Sequence, residues 1–542
     1  MHFEIVFVTL FSVATLVALI ARAIRVPYTV ALVVAGLILG ATHALESPHL
    51  TQELLYAVFL PGLLFEAAFH LDFKKFWANK IAISSLAVPG LVVAIGLTAL
   101  ILTPIADALD PARGFTMEYA LVFAALIAAT DPIAVVGLFK TLGAPKRLAV
   151  LVEGESLLND GAAVVLFTLA LGVAMGEPLS FVTGILAFIE VVGIGGLIGA
   201  AVGMAAAQVI RRVDEPTIEI TLTMVAAYGS FAFAEHFHVS GVIATVVSGM
   251  ICGNYAAQVG MSPSTRIAVE SFWEYLAFAL NSIIFLLIGL EVDLAALGTY
   301  RIAILIAWIA VMAGRAAVTA AVTLLLKRTH ERIPWSYAAV LTHGGLRGGL
   351  SMVLVLALAP DFPHRELLVH MTFGVVLLSI LVQGLSMEPL LKRLGLIGRQ
   401  SDRQAYEMEK GKTRAIQAAL DELNKMAANK TIHPDVAREL MSSYQRRLEE
   451  AEEHIRRLHI EKAELRREER MSATRHMLRV EKDALVRAIH QGHIGADAGM
   501  KLLTEIDARL LALDREDERM DEKKGGEDND NKESLDTAGP AP

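Results

Sequence analysis

Asp131 and Asp160 are carboxylates set inside long apolar runs, ALIAATDPIAVVGLF and LVEGESLLNDGAAVVLF. A charge at the centre of a bilayer costs at least about 2.5 to 3.5 kcal/mol on insertion scales, so each one needs a reason to be there. An acid in such a setting is comfortable only when a proton or a small cation neutralises it, and competition between the two is the chemistry these residues offer. Pro132 follows Asp131 directly. Proline lacks an amide donor, clashes with the carbonyl four residues back and pushes the preceding residue out of helical torsion angles. The helix is therefore expected to break there. Carbonyls near Ala128 and Ala129, the Thr130 hydroxyl and the Asp131 carboxylate are then expected to converge as oxygen ligands for a hard cation such as Na+. A structural kink with Asp131 as a cap is the other reading. In the second run Ser156 and Asp160 lie four positions apart, as do Glu155 and Asn159, so each pair shares a helix face. Ser156 and Asp160 can face the broken helix and bind a partly dehydrated cation, or the polar face can simply pack against a neighbour. Glu155 requires a basic partner. Arg347, in LTHGGLRGGLSM, is the expected one, because the flanking glycines permit close approach and local unwinding.

Other ionisable groups lie in apolar runs: Glu66, Glu153, Glu190, Glu219 and Arg315. Glu190 and Glu219 read as helix-end residues that reach the membrane interface. Glu153 and His343 read as packing or water contacts that can modulate the site.

The elements that must position these groups follow from hydropathy. Of 542 residues 54% are apolar, and the mean hydropathy is +0.52, above what a polar surface normally allows. Apolar stretches long enough to span a bilayer lie near 3–22, 27–44, 50–69, 80–103, 117–139, 147–174, 180–209, 217–235, 239–256, 271–290, 301–326, 335–358 and 367–391. The expected fold is an all-α polytopic membrane protein of about thirteen spans. Asp131 lies in the second of the spans 80–103, 117–139 and 147–174, and Arg347 in the second of the last three. The two triplets start an odd number of spans apart and so enter from opposite sides. That is an inverted repeat with two broken, crossing helices, an arrangement that builds midplane substrate sites in secondary transporters.

Basic residues give orientation. One set of loops gathers Lys74, Lys75, Lys80, Lys140, Lys146, Arg147, Arg211, Arg212, Lys327, Arg328 and Arg332, with Arg22, Arg25 and Arg266 beside it, whereas the alternate set has only Arg113, Arg301 and Arg365. The first set is expected to be cytoplasmic, which puts the N-terminus outside and the C-terminal tail inside a cell membrane. The start, MHFEIVFVTLFSVATLVALIARAIR, carries its basic residues after the apolar run, so a retained span is expected and not a cleaved signal.

The sequence divides into a membrane region, 1–395, a helical tail, 400–520, and an acidic end, 521–542, that lacks aromatics and is expected to be disordered. Helices are expected over 404–428, 434–490 and about 497–519. The tail is either a solvated appendage or a regulatory element. The net charge of -9 comes in part from this acidic end, and nucleic-acid binding gains no support. Cys252 is the only cysteine, which excludes an internal disulfide or a multi-cysteine metal site. No Walker-type phosphate loop, HExxH metal motif or GxSxG nucleophile elbow is present, so an ATPase or a polytopic membrane enzyme gains little from the sequence. No cofactor is expected. A channel could use the same acids, and obligatory exchange would separate the two.

TDPIAVV, GESLLNDG and GGLRGGLS, with weaker support from VPYTVALVVAGLILG, LPGLLFEAAFHLD and NSIIFLLIGLEVD, make residues 1–395 resemble the monovalent cation/proton antiporter-1 family of NhaP-type antiporters and Na+/H+ exchangers. The resemblance implies a homodimer in which a core domain moves against a dimerisation domain, exchanging Na+ for H+ in support of pH homeostasis; Li+ and K+ remain open as substrates. It makes Asp160 the principal carboxylate, draws Asp131 and Thr130 from an unwound helix, and makes Ser156 and Glu155 nearby ligands or water contacts. Asn159 would stabilise the site and Arg347 would neutralise Glu155. The Asn-Asp pair, in place of two aspartates, is associated with electroneutral exchange.

Overall fold

The computed structural model describes residues 3–24, 27–42, 55–109, 114–176, 181–397, 399–461, 463–491, 493–495, 498–510 and 512–513. The chain forms two compact units, residues 1–400 and 401–542.

The first unit is helical throughout its described spans. It runs α1 (Phe3–Ile24), α2 (Tyr28–Ala41), α3 (Leu60–His70), a short α4 (Phe73–Ala78), and α5 (Lys80–Ser85), which continues through a π-turn into α6 (Leu91–Leu109). Then come α7 (Met117–Leu126), α8 (Ile133–Leu142), α9 (Lys146–Ala174), α10 (Phe181–Ile210), α11 (Pro216–His236), α12 (Gly241–Ile251), α13 (Pro263–Glu291) and α14 (Leu294–Leu325). The set closes with α15 (Trp335–His343), α16 (Gly349–Leu356), α17 (Arg365–Leu378) and α18 (Gly384–Arg393). Each apolar run expected from the sequence holds helix, and among the described residues eight helices are long and apolar enough to cross a bilayer, with shorter apolar ones between them.

Two starts differ from expectation. Helix α13 begins at Pro263 rather than near 271, because Ser262 accepts the Thr265 N–H and proline suits the first helical position. The charges in PSTRIAVESFWE lower its hydropathy without stopping the helix. Helix α14 likewise begins at Leu294, where Asp293 accepts the Ala295 N–H at 2.8 Å and the Ala296 N–H at 3.3 Å.

Burial sorts the helices. In the most apolar window of α13 78% is buried, against 11% for α10, so α13 is central and α10 turns an apolar face outward. Helices α2 and α13 meet backbone to backbone: a Cβ added to Gly36 would lie 3.0 Å from the Gly289 Cα and overlap the Leu286 carbonyl. Only glycine permits that approach. Tyr28 of α2 stacks on Phe278 of α13 at 5.2 Å between ring centres and hydrogen-bonds Ser282.

The second unit contains α19 (Arg399–Ala428), α20 (Pro434–Glu461) and α21 (Ala463–His490), followed by helix over 498–510. Leu478 of α21 and Ile506 are buried, and Lys482 pairs with Asp507 at 2.6 Å. The acidic end expected from 521 lies outside the described residues.

Candidate functional site

Two interrupted helices cross at the centre of the first unit. Helix α7 stops at Leu126 and the chain resumes as α8 at Ile133, so Pro132 breaks the span as its chemistry requires. The Ile133 N–H donates to Asp131 Oδ1 at 3.0 Å, so Asp131 meets a backbone donor in the first turn of α8. Helix α15 stops at His343 and resumes as α16 at Gly349. The two gaps are joined by the Asp131 N–H donating to the Leu346 carbonyl at 2.8 Å. A Cβ on Gly348 would fall on the Asp131 carboxylate, so glycine is what allows the crossing.

The broken ends expose carbonyls, and protein donors meet them. Arg347 Nη1 donates to the Ala128 carbonyl at 2.6 Å and to the Ala129 carbonyl at 3.1 Å. Asn159 Nδ2 donates to the Ala128 carbonyl and to Thr130 Oγ1, both at 3.2 Å, and the Ser156 hydroxyl donates to the Thr130 carbonyl. The Ala128 and Ala129 carbonyls, expected from the sequence to face a cation, therefore meet a guanidinium. A cation at the C-terminal end of a half-helix is well placed against its dipole.

The expected ion pair is also corrected. Glu155 pairs with Arg315 and not with Arg347: Arg315 Nη1 and Nη2 donate to Glu155 Oε1 and Oε2, each at 2.9 Å. Arg315 Nε also donates to the Leu341 carbonyl at 2.9 Å, close to the C-terminal end of α15. Each interrupted helix thus has an arginine at its first half's C-terminal end, Arg347 for α7 and Arg315 for α15. Bidentate pairing suits the planar guanidinium fork.

Two cavities flank this crossing. The first, of about 90 Å³, is lined by Thr130, Asp131, Glu153, Ser156, Asp160 and Asn281 among apolar side chains such as Leu60, Leu64 and Ile284. The second, of about 30 Å³, is lined by Glu155, Asn159, Arg315 and Arg347 with Thr98 and Thr319. Asn159 and Asp160, adjacent in sequence, line opposite cavities. Asp131, Thr130, Ser156 and Asp160 come together as expected, whereas Glu155 faces the second cavity and stands apart from them.

Asp160 Oδ1 is buried and has no hydrogen-bond partner among the described residues, and the same holds for Asn159 Oδ1. Buried polar atoms are normally paired, so an orphaned carboxylate oxygen on a cavity wall is one that a proton or cation can satisfy. A hydroxyl and a second carboxylate, on Ser156 and Asp131, share that wall.

Sequence reasoning gave Arg315 and Asn281 no role and Glu153 and His343 only a modulating one. Arg315 was visible as an intramembrane charge but carries no flanking motif. Glu153 lines the first cavity, three residues from Ser156 on the same helix, and Asn281 reaches it from α13. His343 hydrogen-bonds Ser386 through Nε2 at 2.8 Å and lines neither cavity. Glu190 is exposed on α10. Glu219, expected at the interface, is instead fully buried in the first turn of α11, where the N-terminal peptide dipoles favour an acid.

Residues 9–393 match the family model described as sodium/hydrogen exchanger, transmembrane. The Na(+)/H(+) antiporter ApNhaP of Aphanothece halophytica is 37% identical over 433 residues, covering 80% of this chain and 82% of that protein. The Na(+)/H(+) antiporter NhaP of Pseudomonas aeruginosa is 40% identical over 351 residues, covering 63% and 81%. In fold, the chain is similar to the sodium proton antiporter MjNhaP1 of Methanocaldococcus jannaschii, with a TM-score of 0.60 at 18% identity over 72% of this chain and 98% of that one. The matched span takes in both interrupted helices and the Asn159-Asp160 pair, and the chain belongs to the sodium/hydrogen exchanger family.

Proposed function

We propose that this protein is a secondary antiporter that exchanges Na+ for H+ across the cell membrane, with Asp160 as the group both ions contest. The observation that carries the reading is the orphaned Asp160 oxygen on a cavity wall shared with Asp131, Thr130 and Ser156, where two interrupted helices cross. The antiporter names borne by relatives at 37% and 40% identity support Na+ as the cation. Asp131 and Ser156 supply further oxygens, Asn159 orients Thr130, and Arg347 holds the broken end of α7. Glu155 acts with Arg315 as a structural pair, apart from the ion.

With a proton or a cation bound, the Asp160 carboxylate is neutralised and can pass the apolar side chains of Leu60 and Leu64. A bare carboxylate facing the same side chains is held back by its desolvation cost. One cation then moves for each proton, without ATP. We assign residues 1–395 to this transport domain, acting as a homodimer with its N-terminus outside, and the region from 400 to a cytoplasmic appendage.

Proteoliposomes carrying an internal pH dye test the reading. Addition of Na+ should move protons in the wild type, and Asp160→Asn should abolish that movement in a folded protein. Proton movement with K+ alone would reassign the cation, and normal exchange in Asp160→Asn would remove Asp160 from the mechanism.

A further inference from the structure

The basic end of the first unit carries an organised surface that the transport site does not use. Helix α4 lies between α3 and α5 and shows two faces. Phe76 turns inward, where a Cβ on Gly154 of α9 would meet its ring at 3.1 Å. Phe73 and Trp77 turn outward, with Trp77 55% exposed and their rings 5.8 Å apart. Lys80 caps Trp77 with its ammonium 4.2 Å from the ring centre.

A hydrogen-bonded node fixes what surrounds α4. Arg147 Nε donates to Asn79 Oδ1 at 2.8 Å, and Arg147 Nη2 donates to the Arg332 carbonyl at 3.0 Å. Glu331 accepts the Ala82 N–H at 2.8 Å. The starts of α5 and α9 and the loop before α15 are thereby held together. Lys80 and Lys146 flank the node in sequence and both are exposed. Trp335, 58% exposed, follows the same loop.

Exposed tryptophans mark the headgroup level of a bilayer, and lysines beside them attract anionic headgroups. A soluble acidic partner would explain the lysines but not two outward indoles at the membrane end of apolar helices. We infer that this surface binds the headgroup of an anionic phospholipid, with Lys80 and Lys146 on the phosphate and Trp77 and Trp335 seated at the glycerol level. The inference rests on the membrane orientation proposed above. Its consequence is mechanical: the node holds the start of α9, the helix that carries Ser156 and Asp160, while Asn254 accepts the Phe73 N–H at 2.9 Å and ties the start of α4 to the π-turn that continues α12. A bound headgroup bridges the two attachments.

Tryptophan quenching by lipids brominated on their acyl chains tests this without requiring transport. The full chain is reconstituted in phosphatidylcholine containing a low, equal fraction of brominated phosphatidylglycerol or brominated phosphatidylcholine. The contribution of Trp77 is taken as wild type minus Trp77→Phe. Two surface cations, at about 1 kcal/mol each, enrich an anionic lipid by about thirtyfold, so phosphatidylglycerol should quench Trp77 at least about twofold more than phosphatidylcholine. The excess should vanish in Lys80→Gln/Lys146→Gln while quenching by phosphatidylcholine, the control for an intact fold, stays unchanged. Equal quenching by the two lipids would overturn the inference, as would an excess that survives the double substitution. Removal of the excess by dissolved glycerol phosphate would also overturn it, by assigning the site to free phosphate. A loss of Na+-driven proton movement with the quenching pattern intact would strike the proposed function and leave this site standing.

Discussion

Separating Glu155 from Arg315 should cost more than any other single change in the second cavity. The pair is bidentate at 2.9 Å, and its side chains are only 6% and 13% exposed. Charge centres about 4 Å apart at an effective dielectric near 20 attract by about 4 kcal/mol. Removing one partner also strands the other charge, and the expected loss is about 3–5 kcal/mol. Arg315→Gln should cost more than Glu155→Gln, because it also unpairs the Leu341 carbonyl, worth about 1–3 kcal/mol when buried. The double substitution Glu155→Gln/Arg315→Gln leaves two neutral amides and should recover at least about 2 kcal/mol relative to the sum of the singles. Reversible unfolding in mixed micelles measures all four corners of the cycle. A parallel cycle on Glu155 and Arg347 should couple by less than about 1 kcal/mol, since Arg347 bonds carbonyls. Weak coupling in the first cycle, or stronger coupling in the second, would refute the assignment.

Ser156→Ala removes the hydroxyl that bonds the Thr130 carbonyl and should weaken half-saturating Na+ by about fivefold, read from dye signals in proteoliposomes at fixed pH. Arg347→Lys keeps a cation against the α7 carbonyls, both of which are met by one guanidinium nitrogen, so it should retain measurable exchange while Arg347→Met abolishes it. Asp72, at the start of α4 and outside the spans, is held below the usual carboxylate range by the Lys75 side chain and backbone N–H. A lowered folded value means that its stabilisation is present at neutral pH and lost as pH falls through that value. With 41% of its side chain exposed the effect is below about 1 kcal/mol. Asp72→Asn, which keeps the cap, should flatten the decline in melting temperature between roughly pH 5 and pH 2, and an unchanged slope would contradict it.

Local chemistry was legible in the sequence, and pairing across the fold was not. Asp131-Pro132 and the glycines around Arg347 announce breaks because proline and glycine act on their own backbone. The spacing of Ser156 and Asp160 sets a shared face whatever surrounds it. The partner of Glu155 depends on which helix packs against α9, and nothing near Arg315 in the chain records that. The Ala128 and Ala129 carbonyls were rightly expected to be freed, yet a freed carbonyl attracts an arginine as readily as a sodium ion. Glu219 was misread because position near a helix start says that an acid is tolerated and not that water reaches it. The same limit moved the start of α13, where capping by Ser262 overrides low hydropathy.

Where α2 and α13 touch, no side chains intervene between Gly36 and Gly289. Side chains give a contact its compliance, since they can switch rotamer while backbones stay put. Two helices pressed together at their peptide planes therefore behave as one stiff slab. In the exchange cycle proposed above, a shape change that carries Asp160 past Leu60 and Leu64 would use another interface than this one.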